Sequence, residues 1–273
     1  MPTCQSDDVK SADSLLPIFV TILFVLAMLL PQQRVEAQEE QDLSTQNLRK
    51  LPADPTAGDI LARMAMAYAD CESYRDSGEV HSVIDMGTAK IETKQRFSTA
   101  FRRPDSFKFE FREKPWYGGD EKHYVVWGNG QGFKTWWTVT PQVKQYDTIG
   151  VAIAGPTGVS HGSAYRVPML LLGTGRSPES LLGVVNPILL EDEEIEGIDC
   201  YVIEGKRDSE DVTKLWIEKG SLGLRKVFVK KSFSEEGFTS VTTTTYSPRF
   251  EVSLDPSVFT FEPPIDEERP SDD

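Results

Sequence analysis

The sequence contains one short motif that is typical of nucleophilic catalysis. Gly158-Val159-Ser160-His161-Gly162 matches the G-x-S-x-G turn that presents a serine nucleophile in many hydrolases. That chemistry needs a buried strand before the serine, a long helix after it and a histidine base later in the chain. No histidine follows His161, and His161 is too close in sequence to be that base. The motif therefore predicts a turn that the glycines permit, and we expect no enzyme activity.

The residues that could bind a metal ion are scattered. His81, His123 and His161 share no ligand spacing with any cysteine. The acidic run at 191–196 lacks the alternating Asp or Asn ligands and the central glycine of a calcium loop, so a solvated hairpin is the better interpretation. The chain also has no phosphate-binding loop and no dinucleotide fingerprint. We therefore predict no metal and no cofactor.

Aromatic side chains are the strongest indication of a binding surface. Phe107, Phe109 and Phe111 alternate with polar residues, which places the three rings on one face of a strand. Trp127 and Trp136 follow in the next predicted strands. A sheet face so rich in aromatic residues must be covered. Periodicity leaves two interpretations, an ordinary core or an apolar pocket for an acyl chain or another hydrophobic ligand.

The hydrophobic period shows which elements position these residues. Thr56 and Asp59 form a capping-box pattern at the start of a predicted amphipathic helix over residues 57–71. From Tyr74 onwards the period is two, with turn signals between the runs. Strands joined by short turns, without helices between them, predict an antiparallel meander. The predicted strands lie near 77–85, 89–101, 106–112, 122–128, 133–139, 187–195, 199–206, 213–218, 224–232, 238–247 and 258–262.

The stretch Thr148–Val185 interrupts the strands. It is rich in Ala, Gly and Leu, has little charge and includes Met169 and Leu170. We predict short helices and loops here. This insert is either a plug that completes the core or a movable cover over a cavity.

The first 37 residues are predicted to be a targeting segment. An apolar run of 16 residues, from Leu15 to Leu30, precedes Val35-Glu36-Ala37, and cleavage is expected before Gln38. The run is near the lower limit for a spanning helix, so an uncleaved N-terminal anchor is the alternative. In both cases the rest of the chain is exported.

The remainder divides into three parts. Residues 38–54 are a polar, flexible leader, residues 55–264 the folded domain, and residues 265–273 an acidic, disordered tail. Cleavage would leave two cysteines, Cys71 and Cys200, which we predict to form a disulfide; two unrelated buried thiols are the alternative. A formal net charge of −14 makes nucleic acid and anionic lipid head groups poor primary electrostatic partners.

Three stretches, in the right order, resemble a known family. Residues 103–109, Arg-Pro-Asp-Ser-Phe-Lys-Phe, are similar to the Arg-Pro-x-x-Phe-x-Trp segment of the periplasmic outer-membrane lipoprotein carriers, the LolA/LolB-like superfamily. Residues 130–145 look like the hairpin of those carriers, Asp-Gly-Lys-x-Leu-Trp followed by Pro and Gln. Residues 255–264 resemble their closing strand, which ends Phe-x-Phe-x-Pro-Pro.

This resemblance implies a mainly β (α+β) fold, a strongly curved antiparallel half-barrel with a helical lid on its concave side. The concave cavity would hold acyl chains, without covalent catalysis. Arg103 would bond to the lid and steady its closed state; the alternative is a strand-end arginine in water. The ligand-binding residues implied are Arg103, Phe107, Phe109, Phe111, Trp127, Trp136, Met169 and Leu170.

The sequence thus predicts a LolA-like binding protein of the periplasm, or one anchored in the inner membrane and facing the periplasm. It would shield a lipid or the acyl chains of a lipoprotein in an apolar cavity. The alternative is an envelope sensor or scaffold that binds a protein partner, such as an envelope membrane protein, and has no ligand cavity.

Overall fold

The structure is a computed structural model that describes residues 51–206, 211–233 and 237–264. The predicted targeting segment, residues 38–50 of the predicted leader and the acidic tail at 265–273 lie outside these residues. Leu51, near the end of the predicted leader, packs against the main hydrophobic core.

The first helix begins where the capping box predicts. Helix α1 spans Ala57–Asp70, and the Thr56 hydroxyl accepts a hydrogen bond from the backbone N–H of Asp59, at 3.2 Å. In return the Thr56 N–H donates to the Asp59 carboxylate at 3.0 Å. Ile60, Leu61 and Met64 are fully buried on one side of this helix.

Thirteen strands form one open antiparallel sheet. Its order is β6-β5-β4-β3-β2-β1-β12-β11-β10-β9-β7, with β13 paired to β1 and β8 paired to β9. The fold is the curved half-barrel that the sequence predicted. The strands are β1 (Ser73–Asp85), β2 (Lys90–Arg102), β3 (Ser106–Glu113), β4 (Lys122–Asn129), β5 (Phe133–Trp137), β6 (Thr140–Tyr146), β7 (Ile188–Leu189), β8 (Glu193–Ile195), β9 (Ile198–Lys206), β10 (Val212–Glu218), β11 (Leu224–Phe233), β12 (Phe238–Tyr246) and β13 (Arg249–Phe250).

Four segments differ from the strands that periodicity predicted. Strand β13 was not predicted, and the strand predicted over 187–195 is two short strands, β7 and β8. Periodicity also missed β6, because it is an exposed edge strand whose polar sequence shows no alternation, although the resemblance implied a hairpin there. Residues 258–262, predicted as a strand, belong instead to a segment that starts with the 3₁₀ helix Pro256–Phe259. This segment lies on the face of the sheet, where Phe259 and Phe261 pack against strand residues, so it adds no strand to the sheet.

The insert forms four short helices, as predicted: α2 (Ile149–Ala152), α3 (Ala154–Val159), α4 (Arg166–Leu171) and α5 (Pro178–Leu182). Its apolar residues belong to the same hydrophobic core as α1 and the phenylalanines of the sheet. We call the covered side of the sheet the inner face and the opposite side the outer face. In this conformation the insert completes the core.

The predicted disulfide is wrong, because Cys71 and Cys200 are both free and buried. Cys71 ends α1 and belongs to the core of the inner face. Cys200 belongs to a separate cluster with Val202 and Trp216, on the outer face of β9 and β10. The sheet therefore separates the two thiols. Burial raises the pKa of the Cys71 thiol to about 11, which disfavours the reactive thiolate.

Gly78 lies where β1 pairs with β2 and β12, and the close packing there predicts that a larger residue at this position lowers stability. A Cβ atom at Gly78 would lie 2.0 Å from the carbonyl oxygen of Thr245 and 2.5 Å from the ring of Phe97. We expect Gly78→Ala to lower the free energy of unfolding by about 1–3 kcal/mol in chemical denaturation, as overpacking does. Gly58→Ala is the control, because a Cβ there meets nothing nearer than 3.8 Å. It should raise stability by about 0.5–1 kcal/mol through helix propensity. Equal effects of the two substitutions would contradict this account.

Candidate ligand-binding site

Three of the predicted site residues lie together on the inner face. Phe107, Phe109 and Phe111 are buried in the main core with α1 and the insert. On the next strand Phe97 stacks on Phe109, with ring centroids 6.2 Å apart, and Phe101 pairs with Phe107. The inner face of β2 and β3 is therefore mostly aromatic, with Thr99 between Phe97 and Phe101.

Trp127 and Trp136 are not part of this surface, and their predicted place beside the three phenylalanines is wrong. Phe109 pairs with Val126, so Trp127 projects to the other side of the sheet, and Trp136 follows the same alternation on β5. Both tryptophans pack with Val125 on the outer face under Phe261, whose ring centroid lies 5.1 Å from that of Trp127.

Met169 and Leu170 lie where the insert meets α1. Together with Met66 and Leu181 they line a cavity of about 230 Å³. We call it the helix cavity. Its lining is mostly apolar and comes from the helices and from the loop at 173–176, and α4 supplies both of the predicted site residues.

A second cavity of about 150 Å³ lies between the insert and the inner face of β9 to β11. We call it the sheet cavity. Arg166 and Leu182 line it from the insert, and Gly205, Thr213 and Val229 line it from the sheet. Both cavities are below the range of about 300–1,000 Å³ that ligand pockets usually have. The space under the insert is therefore closed, and a larger ligand there requires movement of the insert.

Arg103 connects the sheet, α1 and the insert. Its Nε donates to the carbonyl of Cys71 at 2.8 Å, and its Nη2 donates to the carbonyl of Leu171 at 2.8 Å. The same Nη2 reaches the carbonyls of Tyr68, at 3.3 Å, and Ala69. The last carbonyls of a helix have no partner within it and carry partial negative charge. One guanidinium therefore satisfies carbonyls at the ends of both α1 and α4.

The inner face is not apolar throughout, and sequence reasoning missed its polar part. Gln95 Oε1 and Thr244 Oγ1 are buried without a hydrogen-bond partner among the described residues. Both residues flank Val80 in the register of β2-β1-β12. Asp76 lies nearby on the same face and is also buried. The sequence did contain a signal for this polar part, because Asp76 occupies an inward position in the alternation of Tyr74, Gly78 and Val80.

The Asp76 carboxyl group is buried, which is unfavourable for its charged form. Its Oδ2 accepts a hydrogen bond from the Tyr74 hydroxyl at 2.8 Å, and no cation among the described residues forms an ion pair with it. Burial raises the pKa of the Asp76 carboxyl to about 6, against hydrogen bonds that lower it.

The serine of the G-x-S-x-G motif has no catalytic setting. Ser160 follows the short helix α3 instead of a strand, and it is buried. Its Oγ accepts a hydrogen bond from the backbone N–H of Ala164 at 3.1 Å. The motif is therefore a structural turn within the insert. Among the described residues, no group of three or more His, Cys, Asp and Glu side chains could hold a metal ion.

The open half-barrel with its helical cover defines the class of fold, and comparison with known proteins identifies the family. Residues 57–269 match the family described as "Predicted periplasmic protein (DUF2092)". The chain belongs to this family and is a periplasmic protein. No helix in the described part of the chain is long and apolar enough to cross a membrane.

The solved structures to which the chain shows a likeness include LprF from Mycobacterium bovis, with a TM-score of 0.42 and 12% identity over 73% of this chain and 94% of that chain. A LolA superfamily protein from Nitrosomonas europaea has a TM-score of 0.29 and 13% identity over 76% of this chain and 99% of that chain. The MucA/MucB complex of Pseudomonas aeruginosa has a TM-score of 0.39 and 12% identity over 76% of this chain and 61% of that chain. These likenesses concern the fold alone, and no curated protein matches the sequence.

The contacts of Arg103 predict that its loss loosens the insert. In Arg103→Leu we expect faster amide hydrogen exchange in α4 and the last turn of α1, because the carbonyls of Cys71 and Leu171 lose a charged donor. Arg102→Leu is the matched control, since Arg102 faces outwards and donates to the carbonyl of Leu254 at 3.2 Å. Unchanged exchange in α4 of the Arg103 variant would contradict the connection.

The buried Asp76 carboxyl predicts a pH dependence of stability. A folded-state pKa of about 6, above the ordinary 3.8, means that the folded state holds the proton more tightly. The contribution of this group to the free energy of unfolding is then fully present below pH 4. It falls by roughly 3 kcal/mol as the pH rises through 6. Denaturant titrations at pH 4 and pH 7 should show a fall in the stability of the wild type relative to Asp76→Asn. A constant difference between the two proteins would refute the raised pKa.

Proposed function

We propose that this periplasmic protein binds a lipid, or the acyl chains of a lipoprotein, between the inner face of the sheet and the insert. The observation that carries the proposal is the way in which the aromatic surface is covered. Within the described part of the chain, Phe107, Phe109 and Phe111 are covered by α1 and the short helices of the insert and not by a second sheet. Such a cover can separate from the sheet without breaking any strand pairing.

The energetics favour a ligand that replaces the cover. Opening the insert would expose the aromatic surface at a cost of about 25 cal/mol for each Å² of apolar area. An acyl chain that covers the same area offsets that cost, whereas a polar ligand does not. The bonds from Arg103 to Cys71 and Leu171 are a directional part of closure, and they are the ones that join α1 to α4. Arg103 is therefore the proposed control point for ligand entry and release.

A second function is favoured by the filled core. The helix cavity and the sheet cavity are about 230 and 150 Å³, too small for a lipid without rearrangement. If the insert stays closed, the protein is an envelope scaffold or sensor that binds a protein partner on its surface. For neither function do we expect catalysis.

Native mass spectrometry distinguishes the two functions. The exported protein would be purified without detergent and measured before and after lipid extraction. A bound acyl-bearing mass that extraction removes supports the lipid-binding function. An unliganded mass, unchanged after incubation with envelope lipids and acylated peptides, would refute it and leave the scaffold.

A pair of variants shows whether a bound lipid lies under the insert. Met169→Gln places an amide in the helix cavity and should lower the retained lipid several-fold, since a buried amide without a partner costs about 1–3 kcal/mol. Val143→Gln changes an exposed valine on edge strand β6 and should leave retention unchanged. Equal retention by the two variants would place the lipid elsewhere.

A further inference from the structure

The sheet cavity has a charge opposite to that of the whole chain. The cations whose side chains lie on its side are Arg166 and Lys231, with Asp211 as the acidic member of the lining, whereas the side chain of Lys230 alternates to the outer face of β11. The chain as a whole has a formal net charge of −14. Two cations and one carboxylate give this cavity a local excess of positive charge within an acidic protein, and such an excess attracts anions.

Arg166 is the cation at the centre of this arrangement. It is half-buried at the start of α4, and one of its N–H groups donates to the carbonyl of His161 at 3.1 Å. Among the described residues no carboxylate lies within 4.0 Å of its guanidinium, whereas Arg225 and Arg112 both have carboxylate partners. A guanidinium has five N–H donors in a planar fork that fits a carboxylate or a phosphate.

The sheet beneath Arg166 adds neutral polar groups. Burial raises the pKa of the Tyr246 hydroxyl to about 12, and the adjacent Arg166 charge opposes that rise. Two residues earlier on the same face of β12 is Thr244, whose buried Oγ1 has no partner among the described residues. Thr242 continues this line, bonded to Ser82 at 3.1 Å and paired in register with Val229 of the cavity wall.

We infer that the sheet cavity binds the anionic head group, a carboxylate or a phosphate, of an amphiphile whose acyl chain lies under the insert. The inference rests on the proposed function and adds to it the chemical class and orientation of the ligand.

The orientation follows from α4. This helix begins at Arg166, beside the sheet cavity, and ends at Leu171, whose carbonyl Arg103 holds. Met169 and Leu170, which line the helix cavity, lie one turn from Arg166. A ligand that lies along α4 therefore places its charged end at Arg166 and its chain towards the aromatic surface. Asp76, on the same inner face, opposes an anion that enters more deeply.

The test uses three amphiphiles with the same chain, namely dodecanoate, dodecyl phosphate and dodecan-1-ol. Each is titrated below its micelle concentration into the delipidated, exported protein by isothermal titration calorimetry. We expect the two anions to bind about tenfold or more tightly than the alcohol, as a charge-assisted hydrogen bond provides. The stronger of the two anions identifies the head group as carboxylate or phosphate.

Variants identify the residue responsible. Arg166→Gln should remove the preference for the anions and leave the affinity for the alcohol unchanged. Lys231 is exposed and borders the sheet cavity, so Lys231→Gln should reduce the preference for the anions over the alcohol. This variant replaces Arg166→Gln in the test if the Arg166 variant does not fold. Lys144→Gln, which removes an exposed cation on edge strand β6, should have no effect.

Each remaining outcome overturns a defined part of the account. Equal affinities for the anions and the alcohol in the wild type would refute the anionic head group while leaving lipid binding intact. An equal loss for all three amphiphiles in Arg166→Gln would show a structural role for this arginine and also refute it. Binding of none of the three would refute the proposed function itself.

Discussion

The Arg103 guanidinium is the contact on which the closed structure depends. Burial of apolar surface holds α1 and the insert against the sheet, but that force has no direction and would allow many arrangements. Arg103 gives direction, because its donors join the carbonyls of Cys71 and Leu171 to the end of β2. A single side chain thereby contacts two helices at the end of a strand and helps to fix their relative position. The bond from the Leu224 N–H to the Tyr68 hydroxyl, at 3.0 Å, adds a second directional contact between α1 and the sheet.

The inner face combines two chemistries within one sheet. Around β2 and β3 it is aromatic, and around β1 and β12 it carries Asp76 and Thr244, both buried. If this face served only as a core, apolar residues at these positions would make the protein more stable. Buried polar atoms without partners cost about 1–3 kcal/mol each. The retained polar groups are therefore consistent with a ligand that has one charged and one apolar end. The insert follows the same division, with Arg166 at one end of α4 and Leu170 at the other.

Local patterns in the sequence predicted the local structure well. The capping box of α1 and the alternation of Phe107, Phe109 and Phe111 need only neighbouring residues to be interpreted. The side of the sheet occupied by Trp127 depends instead on its register with β3, where Val126 faces Phe109. A shift of one residue reverses the face, and no local pattern determines it. The unpaired Cys71 and the polar cavity at Arg166 are likewise products of pairing between distant strands.

The segment that carries Phe259 and Phe261 has a consequence for biogenesis. These residues are almost the last of the described chain, yet they cover Ala100, Trp127 and residues near them on strands made much earlier. Strand β1 likewise pairs on one side with β12, whose residues lie more than 150 positions later in the chain. Without the final segment, the outer face around Trp127 would therefore be bare, and without β12 one long edge of the first half of the sheet would be unpaired. A bare edge of this kind favours pairing with other chains, so completion of the sheet also protects the protein from aggregation.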